Sequence, residues 1–301
     1  MNLLGGYLGL RDGQPEGNGV DRYGLIKDRL QALMPDRVDD VAPYVATMLG
    51  LSLAGEKARA LPYLVEAGDR AARVYSTYEA IGYFTQAIEV LDSDGASDLG
   101  LARRAYEGRG GALTFGQRVP EAVQNYHTML HVAQGRGNMP MQVSALNKLG
   151  WVTALMQGQF PEAEEHLVDA ERLALECEDL AGLAELHMTY CYLRVPFGNF
   201  EDAVDHLNES DRIGRALDMD EPRLFGLTHK AHTLTYMTRF EDARVVAREA
   251  LSLAEELGNR KCMSEIVGFT NAFHLLRDGD LDAAAGSAEQ GMNMAAQIRG
   301  R

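Results

Sequence analysis

The sequence predicts an all-α fold, an α-solenoid of stacked antiparallel helix hairpins, and three observations carry that prediction. A small residue recurs at Ala80, Ala122, Ala163, Ala203, Ala243 and Ala283, at separations of 42, 41, 40, 40 and 40 residues. An acidic residue adjoins the alanine in nearly every copy, and Val, Ile and Thr never form the alternating run of a strand. Short polar turns, GQRVPE, GQFPE, GNFED, TRFED and DGDLD, stand at the anchors. A period near 40 without strand alternation marks repeated helix-turn-helix units. Each unit has an apolar stripe too many for a free-standing hairpin and buries it against its neighbours.

The elements follow in chain order. Residues 1–20 hold Gly5, Gly6, Gly9, Gly13, Pro15, Gly17 and Gly19 and read as a flexible lead. Residues 21–55 read as a short helical cap. Asp21 is its N-cap, Tyr23, Ile26, Leu30 and Leu33 share one helical face that stops before Pro35, and a second helix spans 37–49 up to Gly50. The repeat domain is expected over 56–301, opening with helices at 56–76 and 78–91. First helices are then predicted at 98–115, 139–157, 180–195, 222–238 and 261–277. Their second helices are predicted at 120–134, 161–177, 201–217, 241–257 and 281–298. The turns inside each pair are short, so the two helices must run antiparallel. Pro120 and Pro161 fall at or near the first position of a helix, where the missing N–H costs little.

Within each unit the small anchor lets two helices approach closely, and the bulky residue ahead of it (Val119, Phe160, Phe200, Phe240 or Leu281) closes the turn. Four positions beyond come Phe84, Tyr126, Leu167, Leu207 and Ala247, on the same face one turn later. Large and small side chains thus alternate as interdigitating hairpins require.

Composition narrows the function classes. Hydrophobic residues are 46% of the chain and charged residues 24%, the balance of a folded globular protein. Forty-four acidic residues against 29 basic ones leave a net charge of −15, which opposes approach to a nucleic-acid backbone, so direct nucleic-acid binding is not expected. Cys177, Cys191 and Cys262 are odd in number and far apart, which points away from a disulfide framework and toward a cytoplasmic setting. No stretch approaches the roughly 20 apolar residues of a membrane span, and the N-terminus lacks a basic leader.

The run LNKLGWVTALMQGQFPEAEEHLVDAERLALE, with Leu149, Gly150, Gly158, Phe160, Ala163, Leu167 and Ala170 in signature roles, resembles the tetratricopeptide repeat in its longer, roughly 40-residue variety. That resemblance covers about residues 56–298 and implies a right-handed superhelix whose first helices line a concave groove. The runs KARALPYLVEAGDRAARVYSTYEAIGYFTQAIEVLD and DRYGLIKDRLQALMPDRVDDVAPYVATMLGLSL are similar to helical stretches of bacterial signal-transduction ATPases and adenylate/guanylate cyclases. No G-x-x-x-x-G-K-[ST] phosphate loop and no cyclase module accompanies them, so the catalysis of those proteins cannot be carried to any residue here.

Candidate partner-binding residues come from the first helices. Counting 11 back from each anchor gives Gly111, Val152, Tyr192, His232 and Ala272, and counting 15 back gives Glu107, Lys148, Met188, Thr228 and Gly268. Phe225, His229, His232 and Tyr236 form an aromatic and imidazole stripe at i, i+4, i+7 and i+11. It reads either as a recognition strip for a peptide or small ligand or as an inter-repeat packing face with satisfied histidines. Lys148, Tyr192 and Arg194 complete the set as polar or amphipathic groups on the inner helices. Trp151 is read as a packing residue. His127 and His131, at i and i+4, lack an HExxH pattern or a cysteine partner, so no metal is expected, and no cofactor either. No nucleophile triad stands out, and no enzyme is expected. Two functions follow as expectations: a non-catalytic scaffold that takes a peptide or protein partner in its groove, or the regulatory arm of an ATPase or cyclase module.

Overall fold

The computed structural model describes residues 57–94 and 98–299, and among them every regular element is helical. The lead assigned to 1–20 and the cap assigned to 21–55 lie outside the described residues. The chain divides into two compact units, one ending at Gly116 and one beginning at Gln117.

In the first unit, α1 (Lys57–Arg73), α2 (Thr77–Asp94) and α3 (Leu99–Phe115) pack on one another. Ala80 and Phe84 are fully buried there. The second unit holds α4 (Val119–Gly135), α5 (Met139–Gln157), α6 (Phe160–Glu176), α7 (Leu180–Arg194), α8 (Phe200–Ala216), α9 (Asp220–Tyr236) and α10 (Phe240–Glu256). The last first helix is built of α11 (Arg260–Glu265), a π-helical segment (Ile266–Asn271) and α12 (Ala272–Arg277), and α13 (Leu281–Arg299) follows it. From α4 onward each helix packs on a neighbour in chain order, and the first helices α5 and α7 also touch each other.

The helix boundaries have local causes. Asp98, Asn138, Asp179 and Asn259 cap α3, α5, α7 and α11, each side chain accepting from the N–H three residues on at 2.9, 2.8, 2.8 and 3.1 Å. Turns close with one residue in the left-handed region, glycine at Gly137, Gly158, Gly198, Gly258 and Gly279 but side-chain-bearing at Tyr75, Gln117, Glu178, Asp218 and Thr238. After α7 the chain tightens into a short 3₁₀ turn, Val195–Phe197, because Pro196 cannot donate to an α-helical ladder.

The second helices α4, α6, α8 and α10 each begin one residue earlier than predicted, so the bulky Val119, Phe160, Phe200 and Phe240 are their first residues. Ala122, Ala163, Ala203 and Ala243 are fully buried, as the anchor reading requires. Gly150 shows how close the hairpins come: a Cβ there would stand 2.6 Å from Leu167 Cδ2 and 3.2 Å from the Ala163 carbonyl oxygen.

The last unit departs from the prediction. Ala284 is buried in the anchor position, while Ala283 is only half-buried. The π-helical segment is the physical reason, because it inserts one extra residue into the helix that precedes the turn. The segment is held where Gly268 meets Gly291 of α13: a Cβ on Gly291 would stand 2.6 Å from Gly268 N and 2.8 Å from the Ser264 carbonyl oxygen. Ser287 Oγ donates to the Val267 carbonyl at 2.8 Å, satisfying an acceptor that the widened turn leaves open.

Candidate functional site

Trp151, Tyr192 and His232 occupy the same place on successive first helices, each the thirteenth residue after its cap position at Asn138, Asp179 and Met219. Counting from the anchor misses this. The unit anchored at Ala163 has one more residue between cap and anchor than the two that follow, so the backward count lands on Val152, which is fully buried, instead of Trp151, which is half-buried. In the last unit the count errs by one residue in the opposite direction, because the π segment moves the anchor to Ala284, and it lands on Gly268 and Ala272 instead of Phe269 and Phe273. Thr228 is likewise fully buried.

With the helices in place the rings form a continuous strip across α5, α7, α9 and the π segment. Trp151 meets Tyr192 edge to face at 6.5 Å between centroids, Tyr192 meets His229 at 4.8 Å, and His229 meets His232 at 6.0 Å. His232 meets Phe269 at 4.8 Å, and Phe269 meets Phe273 at 4.7 Å. Tyr236 joins from the side, 5.4 Å from Phe269 and stacked at 6.0 Å on Phe200. Tyr236 and Phe273 are exposed, by 51% and 43%.

One hydrogen bond joins two of the ring edges. The Tyr192 hydroxyl is hydrogen-bonded to His229 Nε2. Desolvation holds both imidazoles neutral, lowering His229 to about 3 and His232 to about 4; the neighbouring His232 lowers His229 further, while a hydrogen bond to the Glu265 backbone partly opposes the shift at His232. Burial also raises the Tyr192 phenol, and the charge of nearby Glu265 adds to the effect. Tyr192 and His229 thus occupy each other's polar edges, whereas His232 Nε2 is buried without a hydrogen-bond partner among the described residues; what the strip offers a partner is ring faces.

Phe225 lies beside this strip beneath Lys261, whose Nζ stands 5.7 Å from the ring centroid. Lys148 sits on α5, its Nζ donating to Glu185 Oε2 of α7 at 3.2 Å. The structure thus gathers Tyr192, Phe225, His229, His232 and Tyr236, and puts Lys148 on the helix that carries Trp151. Arg194 stands apart: it grips Glu164 of α6 in two bonds of 2.9 and 3.0 Å, binds Asp202 of α8 at 2.6 Å, and covers the Tyr190 ring at 5.4 Å. That arrangement staples three helices. Around it Tyr190 donates to Glu171 at 3.1 Å and stacks on His206, whose Nδ1 is 3.0 Å from His187 Nδ1. His166 and His206, each third after its anchor, both lie half-buried among such neighbours.

Sequence reasoning missed Glu265, Phe269 and Phe273 and assigned Trp151 only a packing role. The signal for Trp151 was present, in its shared spacing from the cap with Tyr192 and His232. Phe269 and Phe273 had none, since nothing in residues 266–271 announces a π turn.

No protein-family model and no curated protein matches the chain, but solved structures do. The chain is similar to the apo form of RapI at 13% identity and TM-score 0.66, over 93% of this chain and 98% of that one. It is similar to the Rap conjugation gene regulator of the plasmid pLS20 in complex with the Phr* peptide at 14% identity and TM-score 0.61, over 79% and 74%. It is also similar to a signal-transduction ATPase with numerous domains and a tetratricopeptide repeat sensor from Pyrococcus horikoshii, at 13% identity and TM-score 0.53, over 92% of this chain and 45% of that one. At these identities the likeness is one of fold, and the fold is of the tetratricopeptide type that the sequence resembles.

Proposed function

We propose that this chain is a non-catalytic scaffold that binds a peptide, or a peptide-like segment of a protein, along the face formed by its first helices. The observation that carries this reading is the ring strip from Trp151 to Phe273. It spans four successive first helices, Tyr192 and His229 are hydrogen-bonded within it, and its far end is open to solvent. Rigid aromatic groups give contact area at small entropic cost, which is what a peptide site needs. The Phr* complex of the pLS20 regulator supports it, because a fold of this shape there holds a peptide. The repeat domain, residues 56–301, is the proposed body of the scaffold.

A pool of random hexapeptides, blocked at both ends and labelled with fluorescein, tests the proposal by fluorescence polarisation. Tyr236→Ala combined with Phe273→Ala should weaken binding at least tenfold. Leu175→Ala combined with Val245→Ala, exposed positions on second helices, should leave it unchanged. Absence of binding to the wild type, or equal loss in both variants, refutes the reading.

The 45% coverage of the Pyrococcus ATPase favours a second reading, that the chain acts as the sensor arm of an ATPase or cyclase module. A phosphate-loop ATPase or cyclase encoded beside it would support this, and a neighbourhood without either leaves the first reading alone.

A further inference from the structure

Glu265 lies close to the ring strip and beside Lys261. It lies on α11 one residue before the π segment, with about a third of its side chain open to solvent. Among the described residues its carboxylate accepts no hydrogen bond; Lys261 Nζ stands 3.9 Å from Oε1, beyond hydrogen-bonding reach. Burial raises its pKa and Lys261 only partly opposes the shift. A partly exposed carboxylate with no hydrogen bond from the described residues is accessible to the donors of a ligand.

The chemistry of a fitting ligand follows from what surrounds Glu265. Lys261 Nζ, 3.9 Å from Glu265 Oε1, stands over the Phe225 ring, and Phe269, four residues beyond Glu265, packs on His232; the Glu265 charge also contributes to raising the Tyr192 phenol. Ring faces are the negative side of the aromatic quadrupole and attract a cation. Lys261, over the Phe225 ring, is a resident example of a cation held this way, and its side chain is 55% exposed, within reach of exchange with a cation from solvent. The two imidazoles are uncharged and do not repel a cation, and a chain of net charge −15 draws basic partners toward it. An ammonium would duplicate Lys261. A guanidinium adds what Lys261 cannot: a planar face that stacks on a ring and a fork of donors that can engage both carboxylate oxygens.

We propose that Glu265, with the ring faces of Tyr192, Phe225 and Phe269, forms a subsite for an arginine side chain of the bound peptide. The subsite rests on the peptide-binding reading above, and its test separates the two. Four fluorescein-labelled, end-blocked hexapeptide pools are used, random except for a fixed central Arg, Lys, citrulline or Glu. Citrulline keeps the planar shape of arginine and loses the charge.

The wild type should bind the arginine pool about tenfold more tightly than the citrulline pool, with the lysine pool between them and the glutamate pool weakest. Glu265→Gln should bring the arginine pool down to the citrulline value while leaving the citrulline value in place. Phe225→Leu should narrow the arginine preference without touching Glu265. Glu255→Gln, an exposed carboxylate on α10, controls for diffuse attraction and should retain the wild-type preference. Equal binding of arginine and citrulline pools by the wild type overturns the subsite and leaves peptide binding standing. An arginine preference that survives Glu265→Gln, or that Glu255→Gln removes equally, also overturns it. If no pool binds, both readings fall.

Discussion

Protonation of the ring strip should unfold it, and the size of the effect can be worked from His229 and His232. Both are neutral in the folded chain, with values near 3 and 4, whereas an unfolded imidazole titrates at 6.5. Below 6.5 the unfolded state therefore binds more protons than the folded one, so stability falls as pH drops and levels off above that value. At pH 5.0 each imidazole lies about 1.5 units below its unfolded value and costs the folded state about 2 kcal/mol, at 1.36 kcal/mol per unit. At pH 5.0 the pair together costs about 4 kcal/mol relative to pH 7.5, and the loss accumulates from pH 6.5 down to about 4 for His232 and about 3 for His229. His166, His187, His206 and His274 are also lowered by burial and act in the same direction.

His232→Leu isolates the effect. His232 Nε2 is buried without a hydrogen-bond partner, so leucine of similar volume removes a titrating group and relieves an unsatisfied atom. Urea titrations at pH 7.5 and 5.0, followed by far-UV circular dichroism and by the fluorescence of Trp151, the only tryptophan, give the two stabilities. The drop between the two pH values should be about 2 kcal/mol smaller in His232→Leu than in the wild type. Equal drops in the two proteins, or a wild type equally stable at both pH values, refute the reasoning that desolvation holds these imidazoles neutral.

Gly150→Ala should destabilise the chain by about 1–3 kcal/mol, because its Cβ would overlap Leu167 and press on the Ala163 carbonyl. A urea midpoint unchanged within error would show that α5 and α6 can separate freely. Thr238→Gly should stabilise it by about 0.5–1 kcal/mol, since a β-branched residue at φ 59° is strained and glycine is not, with part of the gain lost to unfolded-chain entropy. A lowered melting temperature would contradict this.

Much of the architecture could be read from spacing alone. Ala122, Ala163, Ala203 and Ala243 announce themselves because a helix must return a small residue to the same contact in every unit, and burial at those positions follows from that geometry. The turns were equally plain, because GQFPE or GNFED can only end one helix and start another. The stripe from Phe225 to Tyr236 was visible for the same reason: side chains three or four positions apart on one helix share a face whatever lies around them.

What converges between helices was hidden. Tyr192 reaches His229 across 37 positions, Trp151 reaches Tyr192 across 41, and each pairing turns on whether a unit carries one residue more or fewer between its cap and its anchor. A single residue turns a helix by about 100°, so the π segment alone decides that Phe269 and Phe273 join the strip in place of Gly268 and Ala272. Arg194 shows the same limit from the other side. Its place at the end of a first helix suits a groove, and only the packing of α6 and α8 against α7 commits it to Glu164 and Asp202. Helical period and turn chemistry are local properties and are written in order along the chain, whereas the identity of neighbours across a packed interface depends on how successive hairpins are rotated, and that is settled by the folded core.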